Sequence, residues 1–572
     1  MAPQLIAELQ RRRVFRALIG YGIAAFAVLQ IIEPLMHGLH WPDEVLSYVV
    51  VALAVGFPIV VSLAWIFDVH EGRLERTPPT EGIRRRWLAP LLVGLGLLTA
   101  APGLYYYLVV RAKRAPQVTS ASIAVLPLVN LSRDPDQEYF ADGLAEELLD
   151  MLAKVPGLHV AARTSAFSFK GRNEDVRTIA EKLNVKTLLE GSVRKAGDQV
   201  RITTQLINAA DGFHLWSETY DRKLTDVFAV QDEIARSVVA ALRLQLLPEQ
   251  AAPRQHRTAD PEAYTQYLLG RQFLNRATLD NYRRAAKSYE KALAIDPEFA
   301  PAWAGLALAH YWVGDGGETM QEVAEGQRLA QEAADKAIAL APDLAEGYIA
   351  RGTMRASTQW DWDGARADFE RALSLSPENA DALSAYALYV LRSTGHLDEA
   401  AAVERKVATL DPLNARTFSG LASILVCAGR YDEGRAAAER SLEINPEQNF
   451  APGWIGFSLL LQGQPSAPVP FFARSRNEVF RLSGRAIGLH TLGKETESQA
   501  DLDALIARHS HDGAYQIAGV YAWRGDKDRA FEWLERARVQ RDGGLNLVKV
   551  DRLLYPLKDD PRFPALLKKV NL

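Results

Sequence analysis

Apolar and polar residues follow three different rhythms along this chain. Up to residue 114 the apolar positions run together in three blocks, 14–36, 44–67 and 87–110. Each block is long enough to cross a bilayer as one helix. From 122 to 248 short β-rich runs alternate with amphipathic ones. SIAVLPLVNLS (122–132) predicts a strand, and 136–155 a helix with Phe140, Leu144, Leu148, Leu149 and Leu152 on its buried side. LHVAARTS predicts a second strand and DVRTIAEKLN a second helix. Three strands follow over 185–222, with hairpin turns at Ala196-Gly197-Asp198 and Ala210-Asp211-Gly212. A closing helix spans 227–246. The order βαβαβββα is that of a compact α/β domain.

The third rhythm is helical and repeats. From 260 to 545 apolar positions recur at i, i+3, i+4 and i+7, as Phe418, Leu421, Ala422 and Leu425 do. Pro297, Pro342, Pro377, Pro412 and Pro446 close successive units at steps of 45, 35, 35 and 34 residues. Proline has no N–H and turns the preceding residue away from helix, so each one ends a helix. A period of about 34 with this texture is that of stacked helix pairs. The pattern resembles the tetratricopeptide repeat. Ala365, Phe369, Ala372 and Pro377 match the second half of that unit, as do Ala285, Tyr289, Ala292 and Pro297; Gly270 and Gly352 fit its close-packing small position. The 45-residue step departs from the pattern, and VGDGGETMQEV (313–323) reads as a longer turn. About eight units are expected over 260–540, the sixth a degraded one. Residues 546–572 read as a capping segment with Phe563, Leu566 and Leu567 turned inwards.

Charge sets an expected topology for the first block. Arg11, Arg12, Arg13 and Arg16 precede the first apolar run, and Arg73, Arg76, Arg84, Arg85 and Arg86 lie between the second and third. The positive-inside rule puts both groups in the cytoplasm. Arg111, Lys113 and Arg114 follow the third run and argue the other way, but are outnumbered. The expectation is therefore a multi-pass bacterial inner-membrane protein, residues 1–114 forming the membrane domain and the bilayer being one partner. A linker, 115–121, would lead to soluble domains in the periplasm. Glu33, beside Pro34, reads as a solvated helix end, and Tyr105-Tyr106-Tyr107 as an interfacial belt.

Composition removes some functions. The chain has 572 residues, 48% hydrophobic and 24% charged, enough for several domains. A net charge of −4 gives no global electrostatic case for nucleic acid. The single cysteine, Cys427, excludes an internal disulfide and a cysteine-rich zinc cluster, and reads as core filler. There is no G-x4-GK[ST] phosphate loop and no G-x-S-x-G nucleophile elbow. His509 and His511 read as surface histidines. Asp142, Glu146 and Glu147 read as a solvated helix face. RTSAFSFKGRN, with Arg163, Thr164, Ser165, Lys170 and Arg172, reads as a polar loop after a strand, either a solvated connection or an anion site. No catalytic, cofactor-binding or metal-binding residue is assigned, and no cofactor is expected.

The segment 122–248 resembles the periplasmic α/β domain of TolB-like and FlgO-like proteins, through IAVLPLVNLS, YFADGLAEELLDML, ARTSAFSFKG, LLEGSVRK and LWSETYDR. The start of the chain resembles the leader of bacterial proteins that join this domain to tetratricopeptide repeats. In that group the domain often follows a DNA-binding winged helix or a nucleotide cyclase domain, and the dozen residues before the first apolar run are too few for either. The resemblance implies a fold of three transmembrane helices, a TolB-like α/β domain and an all-α repeat superhelix. The repeat pattern, the lack of a catalytic constellation and the net charge together predict a non-enzymatic interaction scaffold in the periplasm that offers a groove to an unidentified protein or peptide, with no nucleic-acid partner. Gln266, Arg351 and Arg416 are expected as exposed groove side chains. A sensory subunit relaying a periplasmic state to a cytoplasmic partner, through the arginines of 68–86, is the second reading. A cyclase-related protein without its catalytic domain is the third.

Overall fold

The computed structural model describes residues 121–155, 157–242, 256–317 and 319–572, with a few positions before residue 77. The chain divides into two compact units, 1–119 and 120–572. In the first, Phe67–His70 pairs antiparallel with Arg73–Arg76 as a β-hairpin, Phe67 opposite Arg76 and His70 opposite Arg73. The expected membrane-spanning helices are corrected here. No helix among the described residues is long and apolar enough to cross a membrane. A span needs about 20 apolar residues. The longest described helix, Met320–Leu340, has 21, but Glu322, Glu325, Arg328, Glu332, Asp335 and Lys336 interrupt it. The three-span fold class and the multi-pass inner-membrane location fall with this finding. The blocks 14–36, 44–67 and 87–110 lie outside the described residues except for isolated positions, as do Glu33 and Tyr105–Tyr107.

The second unit begins with a mixed sheet. Its strands are β1 (Ala121–Val125), β2 (Leu158–Val160), β3 (Thr187–Ala196), β4 (Gln199–Asn208) and β5 (His214–Lys223). The sheet order is β2–β1–β3–β4–β5, and Val129–Asn130 adds a short parallel pairing to β3. β1 runs parallel to both neighbours, whereas β3, β4 and β5 form an antiparallel meander. Gly197 and Gly212 take positive φ in the two hairpin turns, a conformation that only glycine adopts without a Cβ penalty. Helices α1 (Glu138–Leu152) and α4 (Val227–Ala241) cover one face, and α3 (Val176–Leu183) covers part of the other. The five apolar residues expected to bury one side of α1 are all buried. One element departs from expectation. Arg163–Phe167 forms a short helix, α2, where the sequence predicts a polar loop.

Eight helix pairs follow among the described residues. Repeat 1 pairs Pro261–Asn275 with Leu279–Ile295, and repeat 2 pairs Ala300–Asp315 with Met320–Leu340. In repeats 3 and 4 the first helices, Ala345–Met354 and Ala380–Ala385, continue through wider π turns at Arg355–Gln359 and Tyr386–Leu391. Their second helices are Trp362–Leu375 and Leu397–Leu410. Repeats 5 to 8 pair Ala415–Cys427 with Tyr431–Ile444, Ala451–Leu461 with Pro468–Arg474, Glu478–Thr491 with Glu495–His509, and Ala514–Trp523 with Lys527–Gln540. The first helix of each pair is called A and the second B. The residues before the five prolines, Asp296, Ala341, Ser376, Asp411 and Asn445, all leave the helical region with φ between −129° and −144°. The long step between Pro297 and Pro342 is taken up by helices of 16 and 21 residues, not by a long turn.

Large aromatic rings wedge the pairs together. Tyr289 on helix 1B is fully enclosed, and a Cβ built on Gly270 of 1A or Gly305 of 2A would lie 2.7 or 2.4 Å from its ring. Phe472 on 6B sits in the same way between Gly456 and Gly484, at 2.5 and 2.3 Å. These glycines serve close approach: a methyl group at any of them would overlap a buried ring.

Candidate functional site

The face that carries ligand in a stacked helix-pair array is the one lined by the A helices. In this chain that face is already engaged by two other parts of the second unit. The first is the α/β domain. Its helix α1 lies on helix 1A, and Gly143 allows the approach, since a Cβ there would lie 2.5 Å from Leu268. Arg271 of helix 1A then reaches three carboxylates of α1: Glu146 at 2.9 Å, Glu147 at 2.8 Å and Asp150 at 3.2 Å. Asn275 donates to Glu146 at 3.3 Å, and Arg163 of α2 also bonds Glu146. Asp142 is held from the domain's own side by Lys170, at 2.6 Å.

This arrangement corrects the expectation of a solvated acidic face. Asp142, Glu146 and Glu147 are 7%, 3% and 8% exposed. Buried carboxylates need paired, hydrogen-bonding cations, and Arg271, Arg163 and Lys170 provide them. The spacing of Asp142, Gly143, Glu146, Glu147 and Asp150 along one helix is the signal the sequence offers. It does not say whether water or a second domain covers that side.

The start of α2 makes the second part of the dock. The Ala162 N–H donates to the Leu410 carbonyl at 2.8 Å. Ser165 is fully buried; its N–H donates to the Asp411 carboxylate at 2.9 Å, its hydroxyl donates to the same oxygen, and that hydroxyl accepts the Leu413 N–H at 2.8 Å. Burial raises the Asp411 pKa, and the bonds from Ser165 and Asn414 work against that rise. His159 meets Glu378 at 2.9 Å. Leu413 packs onto the small core around Ile179 and Leu183. Of the polar stretch singled out in the sequence, Ser165 and Thr164 thus meet the repeats, while Arg163, Lys170 and Arg172 pair within their own domain. Asp381 of helix 4A is solvent-exposed, yet the crowding around it, with Asp411 and Asp150 near, raises its carboxyl pKa.

The C-terminal segment is the second occupant. After helix 8B the chain folds back as 3-10 turns at Gly543–Leu547 and Arg552–Leu557 and a last helix, Arg562–Lys569. Arg541 donates to the Thr358 carbonyl and Arg552 to the Cys427 carbonyl, the latter at 2.9 Å. The Trp362 indole donates to the Val570 carbonyl at 2.9 Å, and Asn571 donates to the Trp360 carbonyl at 3.2 Å. Tyr515 of helix 8A donates to Asp551 at 2.8 Å. The segment therefore ties repeat 8 to repeats 3 and 5. Phe563 and Leu566 are buried and Leu567 is partly so.

The expected groove side chains fare differently. Gln266 bonds Glu262 of its own helix at 2.8 Å, and Arg351 is held by Asp368 at 2.8 Å and Asp335 at 3.1 Å. Arg416 is exposed. Cys427 is buried, and burial pushes its thiol up to about 12, so it stays protonated and unreactive. His509 sits between Glu478 and Asp512, each at 3.2 Å, in a surface ion-pair cluster. Among the described residues no group of His, Cys, Asp and Glu could hold a metal ion.

A tetratricopeptide repeat family model matches residues 276–299, which cover the whole of helix 1B. The helical region is a tetratricopeptide-like repeat array. The sheet domain matches another model, the second domain of HilA/YgeH-like transcriptional regulators, over residues 119–237; the TolB-like and FlgO-like assignment is not supported. A protein of Rhizobium meliloti (strain 1021) named "Putative adenylate cyclase 3" is 42% identical over 231 residues, which are 40% of this chain and 39% of that protein. The match thus spans well under half of the relative's length. Two solved repeat proteins are similar to the array at lower identity. A thermophilic repeat protein of Thermus thermophilus, TTC0263, is 20% identical, covering 35% of this chain and 99% of its own, with a TM-score of 0.29. PilF of Pseudomonas aeruginosa is 16% identical, covering 39% and 96%, with a TM-score of 0.31. Tetratricopeptide-like arrays generally serve as scaffolds that bind proteins or peptides.

Proposed function

We propose that this chain is a protein–protein interaction scaffold whose array keeps its own α/β domain and C-terminal segment on the A-helix face until a protein partner displaces one of them. One observation carries this reading: the buried bonds from Ser165 to Asp411 and Leu413 occupy array groups next to Arg416, the groove side chain left exposed. A partner that binds at this place has to compete with the dock. Contact between the partner and the α/β domain then follows from the same event, so occupancy of the array is coupled to release of the domain.

A regulatory reading of the same body is favoured by the match of 119–237 to a domain of transcriptional regulators. In that reading the domain is a control element that the array holds or frees. The likeness to the named cyclase covers 231 residues, 39% of that protein.

A photo-reactive amino acid at Arg416 tests the proposal in the full-length protein, expressed in its own host. The Ser165→Arg variant, which removes the dock without altering the array, is expected to give several times more partner adduct than the wild-type dock does. Equal adduct with and without the dock, or no protein adduct in either, would sink the reading. Circular dichroism melts of both proteins check that the array itself stays folded.

A further inference from the structure

Helices A of repeats 5 to 8 and the returning C-terminal segment enclose a pocket that neither the dock nor the scaffold reading uses. It has about 620 Å3 of space free of protein atoms, its open mouth included. Small-molecule sites are concave and mostly apolar, with a few placed polar groups. The walls fit that description. Trp454, Phe457 and Phe480 form an aromatic side, with edge-to-face or tilted rings 5.8 to 6.2 Å apart, and Ile487 forms the floor.

The polar groups around the pocket are spent, with one exception. Ser483 donates to the Val479 carbonyl at 2.7 Å. Asp551 accepts from Tyr515, and Arg552 is bonded to the Cys427 carbonyl, which pins the C-terminal segment as a wall. The Gln516 Oε1 atom is buried and has no hydrogen-bond partner. Leaving a buried acceptor without a donor is unfavourable, so it is a group that awaits one. One turn further along the same helix, Gly519 leaves the wall open, and a Cβ built there meets nothing within 4 Å. Elsewhere in the array glycine makes room for a neighbouring ring, at Gly270 and Gly305 for example, but here it makes room for empty space.

We infer that this pocket binds a small apolar ring compound carrying one hydrogen-bond donor, the ring against the side formed by Trp454, Phe457 and Phe480 and the donor on Gln516 Oε1. The chain's own residues 551–553 form one wall of the pocket. The thiol of Cys427, held protonated, takes no covalent part.

Indole and benzothiophene separate the elements of the proposal, since they share a shape and only indole has an N–H. Titrated calorimetrically into the full-length protein, indole is expected to bind at one site, about fivefold to tenfold more tightly than benzothiophene, the ratio that one neutral hydrogen bond gives. Gln516→Leu is expected to remove that ratio while keeping benzothiophene binding. Gly519→Leu is expected to abolish both and to melt at or above the wild-type temperature, because its side chain fills free space. No saturable indole binding to the wild type, binding that survives Gly519→Leu, or a lowered melt in that variant would each overturn the proposal. Equal affinity for the two compounds would overturn the role of Gln516.

Discussion

Glu404 on helix 4B shows how much a single side chain sets the behaviour of this array. It is completely buried, its Oε1 accepts from Ser384 at 3.0 Å, and its Oε2 has no partner. Burial pushes its pKa from 4.5 up to about 7, with Ser384 and the nearby Arg392 acting the other way. Below pH 4.5 the carboxyl is protonated in folded and unfolded chains alike. As the pH rises towards 7 the unfolded chain ionises first, so stability falls, and above 7 the loss is complete. A shift of this size corresponds to about 3 kcal/mol. Glu404→Gln removes the ionisable group. Its urea midpoint is expected to fall less between pH 5 and pH 8 than the wild-type midpoint does. The residue scale is also where the sequence is least legible. Ser165, Arg163 and the acids of α1 look like surface because polarity cannot report what covers it. Cys427 and the glycines Gly270 and Gly352 are legible, since their small size has one use in a helix pair.

At the scale of elements the pattern carries most of the fold. Strand alternation, the apolar side of α1 and the proline ladder all place helices and strands where they are found. α2 escapes it because five residues, Arg163–Phe167, are too few for a helical period to show. The two long helices of repeat 2 look like a turn in the sequence because Gly314, Gly316 and Gly317 cluster at their junction. The joint between repeats 1 and 2 rests on Tyr289 between two glycines. Gly305→Ala would put a methyl group 2.4 Å from that ring. Overpacking of this kind costs about 1–3 kcal/mol. The expected result is a lower urea midpoint at unchanged slope. Ala307→Gly, two residues away and also buried, removes a methyl group in the same helix and controls for the helix effect.

At the scale of the whole molecule, the second unit is one body rather than a domain followed by an open solenoid. The period near 34 announces an array but says nothing of what lies against it, and the dock is written in contacts between residues more than a hundred positions apart, such as Glu147 with Arg271 and Ser165 with Asp411. The expected membrane helices are the other correction at this scale: no helix among the described residues is long and apolar enough to cross a membrane. The dock is tested most directly by chemical crosslinking of His159→Cys with Glu378→Cys, two partly or fully exposed partners now 2.9 Å apart at their tips. The one native thiol, on Cys427, is buried and stays silent. A short bismaleimide is expected to join 159 to 378 within one chain in high yield, and Ser165→Arg is expected to abolish the link. A link that survives Ser165→Arg unchanged would contradict the role given to Ser165, and a wild-type chain that gives no such link would contradict the docked arrangement and the scaffold reading built on it.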